Sequence, residues 1–424
     1  MSDVIVAGGG AAGVGAALGA AAAGARVTLL ERAPFLGGAA TLSSVLTYCG
    51  FWTQADPPLD CVGGAGRRVL DELATLGVDV RPTRMSISGV VVALIEPEAV
   101  KIALDRILAR AGVEVILHAR IAGAASDGNR VREVRVLDHR GEFTLAARAF
   151  VDGSGEADLA YFSGAATRFG GADGAYQNGT LPIRFGGIDR EADISRGTWE
   201  SAIIAGKARG LAPLTKEHGL VVRMPGSGDV LAFLADEAYD ARDAYALSGA
   251  ERHAREQAWS YLAAIRELPG HERAYIVASG PMIGTRESRH IVASYALTAD
   301  DVLSARSFAD TVALGGWPVE YHGGPGTRSI WKRIANDRAY GIPLRSLQSV
   351  DRANLFAAGR TLDADAFAFS SLRVMGTAFA TGQAAGVAAA YVAADTSPEP
   401  ETVRAELRRQ AAILELPAQE YPDR

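Results

Sequence analysis

The sequence predicts an α/β fold in which a parallel sheet takes strands from both ends of the chain and surrounds an inserted antiparallel sheet. Residues 3–31 run through a short apolar segment, a glycine turn, an alanine-rich helix and a second apolar segment. Residues 354–360 read as another buried strand that leads into a long Ala/Gly helix. Residues 166–340 differ, with Pro/Gly turns, alternating stretches and four of the five tryptophans. The expected organisation is a main domain at 1–165 and 341–396, an inserted substrate domain at 166–340, and a C-terminal helix and tail at 397–424.

Composition excludes several classes of protein. The chain has 424 residues, of which 48% are hydrophobic and 22% charged, so it is not disordered in bulk. A net charge of −6 argues against nucleic acid as the main partner. Two cysteines cannot build a disulfide framework, and seven scattered histidines lack metal-binding spacing, so we expect no metal. Residues 374–394 carry no charge but are mostly Ala, Gly and Thr, which favours a buried helix over a membrane span. We expect a soluble, cytoplasmic protein.

The N-terminal segment carries a GxGxxG motif in a favourable context. Gly8 permits a tight turn, Gly10 lets the backbone approach a diphosphate, and Gly13 allows the following helix to pack closely. The start of that helix offers free N–H groups to phosphate. Glu31 ends the second apolar run, where a carboxylate accepts hydrogen bonds from a ribose and repels a 2′-phosphate. The segment therefore predicts a Rossmann-like unit that binds NAD or FAD rather than NADP.

The loop after Glu31 distinguishes these two cofactors. Residues 32–41 contain the pair Gly37-Gly38 before a helix-like stretch that includes Thr41. This arrangement resembles flavoproteins of the glutathione-reductase structural class, in which the glycine pair lets the backbone run beside an isoalloxazine ring. The resemblance implies FAD.

The rest of the first segment looks regular. Residues 97–110 have the apolar spacing of an amphipathic helix, and residues 113–117 and 131–137 read as strands. The run 152–158 resembles the segment by which FAD domains close their sheet beneath the adenosine half of the cofactor. In that run Asp152 and Gly153 would form the turn, with Asp158 as the cap of the next helix.

Two later regions complete the prediction. In the inserted domain, residues 181–185 alternate like a strand and residues 248–267 read as the main helix. Residues 226–229 read as a flexible turn, in a solvent-exposed hairpin or, as the alternative, in a lid. Near the C-terminus, Ser370 or Ser371 is expected to cap the long Ala/Gly helix, whose N-terminus would stabilise negative charge on a reduced flavin. Residues 399–414 predict a final amphipathic helix.

Nearly the whole chain resembles the bacterial FAD-dependent oxidoreductase family, related in fold to fumarate reductase flavoproteins and ketosteroid dehydrogenases. Besides the N-terminal motifs, the resemblance rests on residues 283–289, 354–360 and 370–377. Residues 153–156 read Gly-Ser-Gly-Glu, a departure from the usual Thr-Gly-x-Gly-Asp pattern. The resemblance implies a Rossmann-like FAD-binding domain that is discontinuous in sequence. The cofactor-binding residues it implies are Gly8, Gly10, Ala11, Ala12, Gly13, Glu31, Arg32, Gly37, Gly38, Ala39, Ala40, Thr41, Asp152, Gly153, Gly359, Arg360, Ser371, Leu372 and Arg373.

The resemblance also suggests which residues take part in chemistry. It places Arg286 and Arg289 near the flavin, where a guanidinium suits a substrate carboxylate; an ion pair with Glu287 or another acid is the alternative. Arg373 is expected in the first turn of the long helix, beside the reduced flavin or in a salt bridge. His322 is the best single proton-transfer candidate, because a loop histidine titrates near neutrality; an exposed histidine without a catalytic role is the alternative.

Tyr48 and Cys49 follow the Gly37-Gly38 loop and are candidates to reach the ring. Cys49 could form a thioether bond to the flavin or be a small buried hydrophobic residue.

The expected function is an FAD-dependent dehydrogenase or oxidase that transfers hydride between a small, anionic organic substrate and flavin N5. A flavin monooxygenase or reductase is the alternative enzyme, although hydroxybenzoate-type monooxygenases usually carry Gly-Asp where this chain has Gly359-Arg360. A non-catalytic nucleotide-binding protein on the same fold would be colourless. The sequence leaves open whether oxygen or a redox partner reoxidises the flavin, and whether the chain forms a homo-oligomer.

Overall fold

The computed structural model describes residues 2–85, 89–171 and 174–417, and these residues form the following elements. The helices are α1 Ala11–Ala22, α2 Ala39–Leu42, α3 Gly64–Thr75, α4 Pro97–Arg110, α5 Asp158–Phe162, α6 Arg196–Ala208, α7 Ala244–Ile265, α8 Ala299–Leu303, α9 Ala366–Leu372, α10 Met375–Ala393 and α11 Pro400–Arg409. The strands are β1 Val4–Ala7, β2 Val27–Leu30, β3 Thr47–Cys49, β4 Thr83–Arg84, β5 Val91–Leu94, β6 Glu114–Ile116, β7 Arg120–Asp127, β8 Arg130–Asp138, β9 Gly141–Ala146, β10 Ala149–Asp152, β11 Thr167–Phe169, β12 Gly179–Gly186, β13 Val221–Arg223, β14 Val230–Glu237, β15 Tyr275–Ser279, β16 Arg289–Ile291, β17 Thr311–Gly315, β18 Val319–Tyr321, β19 Ile330–Lys332, β20 Tyr340–Pro343 and β21 Leu355–Ala357.

The centre of the fold is a five-stranded parallel sheet in the order β21-β10-β1-β2-β6. Every residue of β1, β2, β10 and β21 is buried, which explains why their sequences are continuously apolar rather than alternating. Strand β21 comes from the end of the chain and pairs with β10, so the sheet is discontinuous in sequence as predicted.

Helices α1 and α10 pack against each other on this sheet at very short range. A Cβ added at Gly386 of α10 would lie 2.0 Å from the Ala16 carbonyl oxygen, and one added at Gly19 of α1 would lie 2.3 Å from the Gln383 carbonyl oxygen. The glycines of both helices are therefore needed for this contact. Helix α10 is buried along most of its length, as the sequence predicted.

The inserted region forms a four-stranded antiparallel sheet in the order β13-β14-β12-β15, covered by α6 and α7. Its hydrophobic core is separate from the main one and includes residues from Leu181 to Ile283. Strands β17 and β20, by contrast, pack into the main core. The domain bounds at residues 166 and 340 stay a prediction.

Several element boundaries differ from the sequence-based expectation. Ser370 and Ser371 do not cap the long helix, because they lie in the separate helix α9, and α10 begins after Val374. Helix α7 begins at Ala244 instead of residue 248, and α11 ends at Arg409. Asp158 is the first residue of α5 and Ala157 its N-cap residue.

Within the described ranges, no helix combines the length and the apolar character that crossing a bilayer requires.

Candidate functional site

A narrow crevice of about 160 Å³ opens between the carboxyl ends of β1 and β2 and the start of α1. We call it the nucleotide crevice. The predicted residues that line it are Gly8, Gly10, Ala11, Ala12, Glu31, Arg32, Gly38, Ala39, Gly153, Gly359, Arg360 and Arg373. Residues from both ends of the chain therefore meet around one groove. Ligands of open parallel sheets bind in this position, outside the carboxyl ends of the strands.

Glycines shape the floor of the crevice. Gly10 is the N-cap residue of α1, and a Cβ placed there would be 3.6 Å from the Gly38 Cα, an ordinary contact. A Cβ at Gly13 would be 1.7 Å from the Gly8 carbonyl oxygen, so Gly13 must stay without a side chain for α1 to meet the turn. The absence of a side chain at Gly10 thus leaves space for a ligand, whereas its absence at Gly13 allows α1 to pack against the glycine turn.

The Glu31 carboxylate stands at the edge of the crevice and is buried. Its Oε2 accepts a hydrogen bond from the Gly9 N–H at 2.6 Å, and its Oε1 accepts one from the Ala33 N–H at 2.8 Å. These bonds fix the carboxylate while leaving lone pairs for further donors, because an ionised carboxylate has about four acceptor sites.

The other predicted cofactor residues support the crevice without lining it. The Gly37 N–H donates to the Gly9 carbonyl, and the Thr41 hydroxyl donates to the Leu36 carbonyl, so they hold the loop against the glycine turn. The buried Asp152 carboxylate accepts bonds from the Ser154 and Ala160 N–H groups. Gly13, Ala40, Ser371 and Leu372 are likewise packed inside the protein.

Buried polar atoms without partners indicate that the crevice is built for a polar ligand. Arg360 pairs with Glu156 at 3.0 Å between Nη2 and Oε1. The second nitrogen of that guanidinium, Nη1, and the second oxygen of Glu156, Oε2, have no hydrogen-bond partner among the described residues. Nη1 is suited to donate to a diphosphate and Oε2 to accept from a hydroxyl, so these residues fit a dinucleotide.

A larger cavity of about 520 Å³ adjoins the crevice, and we call it the substrate cavity. The two spaces share Ala39, Thr285, Arg360, Arg373 and Met375. The apolar lining residues, which we call the apolar wall, include Val45, Met85, Val90, Val92, Leu220, Phe233, Trp317 and Trp331. The positively charged lining residues, which we call the cationic wall, are Arg196, Lys216, Arg286, Arg328, Arg360 and Arg373.

The structure brings Arg286 to the substrate cavity and leaves Arg289 outside it. The Arg286 guanidinium donates to the neutral Asn178 carbonyl, and burial together with the positive charge of Arg373 lowers its pKa to about 10. Part of its surface stays accessible, as expected for a side chain that faces an internal cavity. Arg289 forms a salt bridge with Asp158 and lies over the Tyr161 ring, so the ion-pair alternative is correct for this residue.

Arg373 lies at the junction of the two spaces, but not in the first turn of α10. It is the C-cap residue of α9, one position before Val374, the N-cap residue of α10. Its Nη2 is 3.4 Å from the Glu320 carbonyl oxygen, and its buried Nε finds no partner in the described part of the chain. Arg373 can therefore donate a further hydrogen bond beside the N-terminus of α10.

His322 also lines the substrate cavity. We expected it to titrate near neutrality, but the side chain is buried and its pKa is lowered. Burial and the positive charge of Arg286 lower its pKa to about 3, so the imidazole is neutral at pH 7. Its Nε2 lies 3.2 Å from Glu320 Oε1 and its Nδ1 lies 2.9 Å from the Ser329 hydroxyl. A neutral ring that donates from Nε2 and accepts at Nδ1 satisfies both contacts. His322 therefore holds Glu320 in place and has no free nitrogen for proton transfer.

The prediction for Tyr48 was wrong, and Cys49 has the less reactive of its two expected states. Tyr48 is buried in the main core, packed against Phe51 and Phe379, and lines neither space. Cys49 lines the substrate cavity, but burial raises the pKa of its thiol to about 12. At neutral pH the thiol stays protonated, which disfavours its reaction as a nucleophile.

Several polar residues of the substrate cavity were not predicted from the sequence, and they include Thr180, Lys216 and Glu320. Although burial acts to raise the pKa of Glu320, its hydrogen bond with His322 and the charges of Arg373 and Arg286 lower it, so the carboxylate is ionised. No local motif marks these residues, because they come from three different elements.

Comparison with known protein families identifies the chain's relatives. Residues 3–411 match the family described as FAD dependent oxidoreductase. The chain belongs to this family. Membership confirms the predicted FAD cofactor and shows that the protein is an oxidoreductase. FAD would be held by the nucleotide crevice and by the junction at Arg373, whose glycine floor and unpartnered polar atoms fit it. The contact of each individual residue with FAD stays a prediction.

Solved structures show the same fold at low sequence identity. BexE, studied for oxidation during BE-7585A biosynthesis, is 15% identical with a TM-score of 0.51; the match covers 97% of this chain and 66% of BexE. CabE, an aromatic hydroxylase from angucycline biosynthesis, is 13% identical with a TM-score of 0.51, and the match again covers 97% of this family member and 66% of that chain. This chain thus spans about two thirds of their length. A geranylgeranyl bacteriochlorophyll reductase-like protein from Thermoplasma acidophilum is 12% identical with a TM-score of 0.48, covering 96% of this chain and 82% of that one. No curated protein sequence matches significantly.

Proposed function

We propose that this member of the family is a dehydrogenase or oxidase that takes hydride from a small, anionic organic substrate. The observation that carries the proposal is the charge of the substrate cavity. Six arginine and lysine side chains line it, against Glu320 as the one carboxylate among its described lining residues. Four of the six are in salt bridges: Arg196 and Arg328 with Glu200, Lys216 with Asp236, and Arg360 with Glu156. Arg286 and Arg373 have no salt bridge among the described residues, so their charge is available to attract an anion, although the whole chain has a net charge of −6.

Each wall of the cavity has a separate task in this proposal. Arg286 would bind a substrate carboxylate, because a guanidinium offers two parallel N–H donors to its two oxygens. The apolar wall around Trp317 and Phe233 would hold the carbon skeleton and exclude water. Glu320 offsets part of the positive charge of Arg286 and Arg373, and His322 fixes that carboxylate.

FAD supplies the two-electron chemistry when bound, by accepting a hydride at its N5 atom. The chain's contribution at this point is electrostatic. The N-terminus of α10, with Val374 and Met375 in the cavity lining, presents the positive end of a helix dipole, and Arg373 adds a full charge beside it. Both favour negative charge at the junction of the two spaces, and thereby the reduced state of a flavin bound there.

The anaerobic holoenzyme provides the test. We expect hydroxy acids or amino acids from a screening panel to bleach the visible flavin band without any nicotinamide cofactor. Arg286→Met should lower kcat/KM for the responding acid roughly ten- to hundredfold, as the loss of a charge-assisted hydrogen bond does. Arg209→Met, which changes an exposed arginine at the end of α6, serves as the matched control.

Other outcomes would contradict the proposal. Bleaching by NADH or NADPH, accompanied by oxygen-dependent hydroxylation of an added aromatic compound, would favour the monooxygenase alternative. A colourless protein that does not take up FAD would favour the non-catalytic alternative. Unchanged kcat/KM in Arg286→Met would show that Arg286 does not bind the substrate.

A further inference from the structure

A buried lysine–aspartate pair lies in the cationic wall of the substrate cavity. Lys216 Nζ is 3.2 Å from Asp236 Oδ2, and the two side chains are 8% and 2% exposed. Lys216 lines the cavity, whereas Asp236 stands behind it. The remaining carboxylate oxygen, Asp236 Oδ1, is buried and has no hydrogen-bond partner among the residues that the structure describes.

The fold holds this pair in a fixed position. The Tyr261 hydroxyl of α7 accepts a bond from the Lys216 N–H at 2.9 Å and donates to the Lys216 carbonyl at 2.8 Å. Asp236 lies opposite Thr180 in the β12–β14 ladder, and Thr180 in turn bridges to Gly284. Gly284 is two residues before Arg286 in the chain. Thr180 of β12 therefore connects the lysine–aspartate pair on one side to the segment of the proposed carboxylate-binding arginine on the other.

Packing alone does not explain why the cavity wall contains this pair. Removing two charges from water costs much of the free energy that their mutual attraction contributes. Apolar residues of similar size can therefore often replace such pairs without loss of stability. The charged groups that interact electrostatically with Lys216 are Arg286, Asp236 and Glu320, and His218 is a further titratable neighbour whose pKa burial lowers. Burial and the Arg286 charge lower the pKa of the amine, and together they outweigh the two carboxylates. Lys216 therefore gives up its proton more readily than an ordinary lysine.

The other titratable groups of the cavity are less suited to accept a proton. Both ring nitrogens of His322 already have partners, and Glu320 is an ionised carboxylate held by the Trp317 indole as well as by His322. Burial keeps the Cys49 thiol protonated. The neutral His218 imidazole also lines the cavity, but its Nδ1 is buried and lies 3.9 Å from Glu200 Oε1. The amine of Lys216 combines access to the space with a basic lone pair once it is deprotonated.

We propose that Lys216 is the catalytic residue that accepts the substrate proton, and that the substrate carries an O–H or N–H on the carbon that gives up hydride. This inference rests on the proposed function. In the reaction, the C–H bond breaks and its electron pair leaves as hydride to the flavin. The O–H or N–H bond breaks and its proton goes to the Lys216 amine, whose lone pair forms the new N–H bond. The electrons of the broken O–H or N–H bond form a C=O or C=N double bond. The substrate class is thus an anionic alcohol or amine, such as a hydroxy acid or an amino acid.

A titration of the holoenzyme tests the acid–base property without any substrate. The chain has only four lysines, so protein labelled with ¹³C at lysine Cε gives four NMR signals. The other three, Lys101, Lys207 and Lys332, lie at or near the surface and serve as internal references. The signal that is missing in Lys216→Met should titrate at a lower pH than those three. If it titrates with them or above them, Lys216 stays an ammonium ion and the proposal is wrong.

Kinetics of flavin reduction test the catalytic role. In the wild type, the rate of anaerobic reduction by the responding acid should rise with pH through the Lys216 titration seen by NMR. Lys216→Met should lower that rate about 10²–10⁴-fold and abolish this pH dependence. Because the single change leaves Asp236 buried and unpaired, the double variant Lys216→Met/Asp236→Asn repeats the measurement in a neutral site. Lys207→Met is the control for loss of a lysine at the surface.

The two proposals fail in different ways. A wild-type rate and pH profile in the double variant would overturn the role of Lys216 and leave the dehydrogenase or oxidase intact. If no alcohol or amine bleaches the wild-type flavin, the proposed function is wrong and the catalytic role of Lys216 is wrong with it, whatever the NMR titration gives.

Discussion

At the scale of single residues, burial decides what the polar groups of the substrate cavity can do. His322 and Lys216 both lie in its wall, and burial shifts both towards their neutral forms. The histidine is then fixed between Glu320 and Ser329, whereas the lysine faces the cavity beside Asp236. A histidine near glycines in the sequence suggested an exposed, titrating loop residue. Its burial depends on residues far away in the chain, which the sequence pattern does not show.

The neutral state of His322 predicts an acid-sensitive fold. Its pKa is about 3 in the folded protein against an ordinary value of 6.5, so the unfolded chain binds the extra proton first. The free energy of unfolding should therefore fall as the pH drops below 6.5, by up to about 1.4 kcal/mol per pH unit, until the pH nears 3. For a chain of this size, that is a decrease in Tm of roughly 1–2 °C per pH unit.

The measurement is the Tm of the holoenzyme between pH 7 and 5. His322→Gln keeps an amide donor towards Glu320 but cannot titrate, so its Tm should depend less steeply on pH than that of the wild type. His139→Gln, at an exposed position, should keep the wild-type slope. Equal slopes in all three proteins would contradict a neutral, buried His322.

At the scale of elements, the sequence predicted best where one local pattern determines the structure. Helix α4 has the bounds that its apolar spacing predicted, and the strands β1 and β2 follow their apolar runs. The break between α9 and α10 was missed because Ser370 and Ser371 are good cap residues and no glycine or proline separates the two helices. The cap of α9 is Asp365, whose carboxylate accepts from the Ala368 N–H. Ser370 lies inside that helix, where its hydroxyl bonds the Phe367 carbonyl.

The candidate site was predictable for the nucleotide crevice and much less so for the substrate cavity. The crevice takes Gly8, Gly10, Ala11 and Ala12 from one local motif, and such a motif is visible in one stretch of sequence. The cavity combines Lys216 from the loop before β13, Arg286 from the segment after β15 and Glu320 from β18. These residues meet only after the inserted sheet has packed onto the main domain, and no spacing in the chain encodes that contact.

The contact between α1 and α10 leads to a prediction about these two helices. Gly386→Ala would place a methyl group 2.0 Å from the Ala16 carbonyl oxygen, so the helices must move apart. We expect a loss of about 1–3 kcal/mol or more in the free energy of unfolding. Gly249→Ala in α7 is the matched control, because its Cβ would meet no atom within 4 Å. It should raise the stability by about 0.5–1 kcal/mol through helix propensity. Urea unfolding of both variants checks the difference, and a neutral effect of Gly386→Ala would show that the helices are not in close contact.

At the scale of the whole molecule, the cofactor connects parts of the chain that are far apart in sequence. The nucleotide crevice is lined by residues near position 10, from 30 to 43, near 120, near 155, near 284 and from 358 to 378. The substrate cavity adds residues of the inserted sheet to the same junction. A ligand bound there stabilises all of these contacts together, because it binds the folded chain and not the unfolded one.

FAD should therefore raise the stability of the apoprotein, and Gly10 should be required for that effect. At a free FAD concentration one hundred times its Kd, binding adds about 2.7 kcal/mol, which corresponds to about 3 °C in Tm for a chain of this length. Gly10→Ala should leave the apoprotein Tm near the wild-type value, because Gly10 has a φ of −76° and a Cβ there makes only an ordinary contact with Gly38. The added methyl group would occupy the path of the diphosphate, so the FAD-induced increase should be lost.

Gly13→Ala provides the contrast, since its Cβ would clash with the Gly8 carbonyl and lower the Tm of the apoprotein itself. If Gly10→Ala gains the same Tm increase from FAD as the wild type, the diphosphate does not cross the crevice at Gly10, and the cofactor position inferred from the glycine motif is wrong.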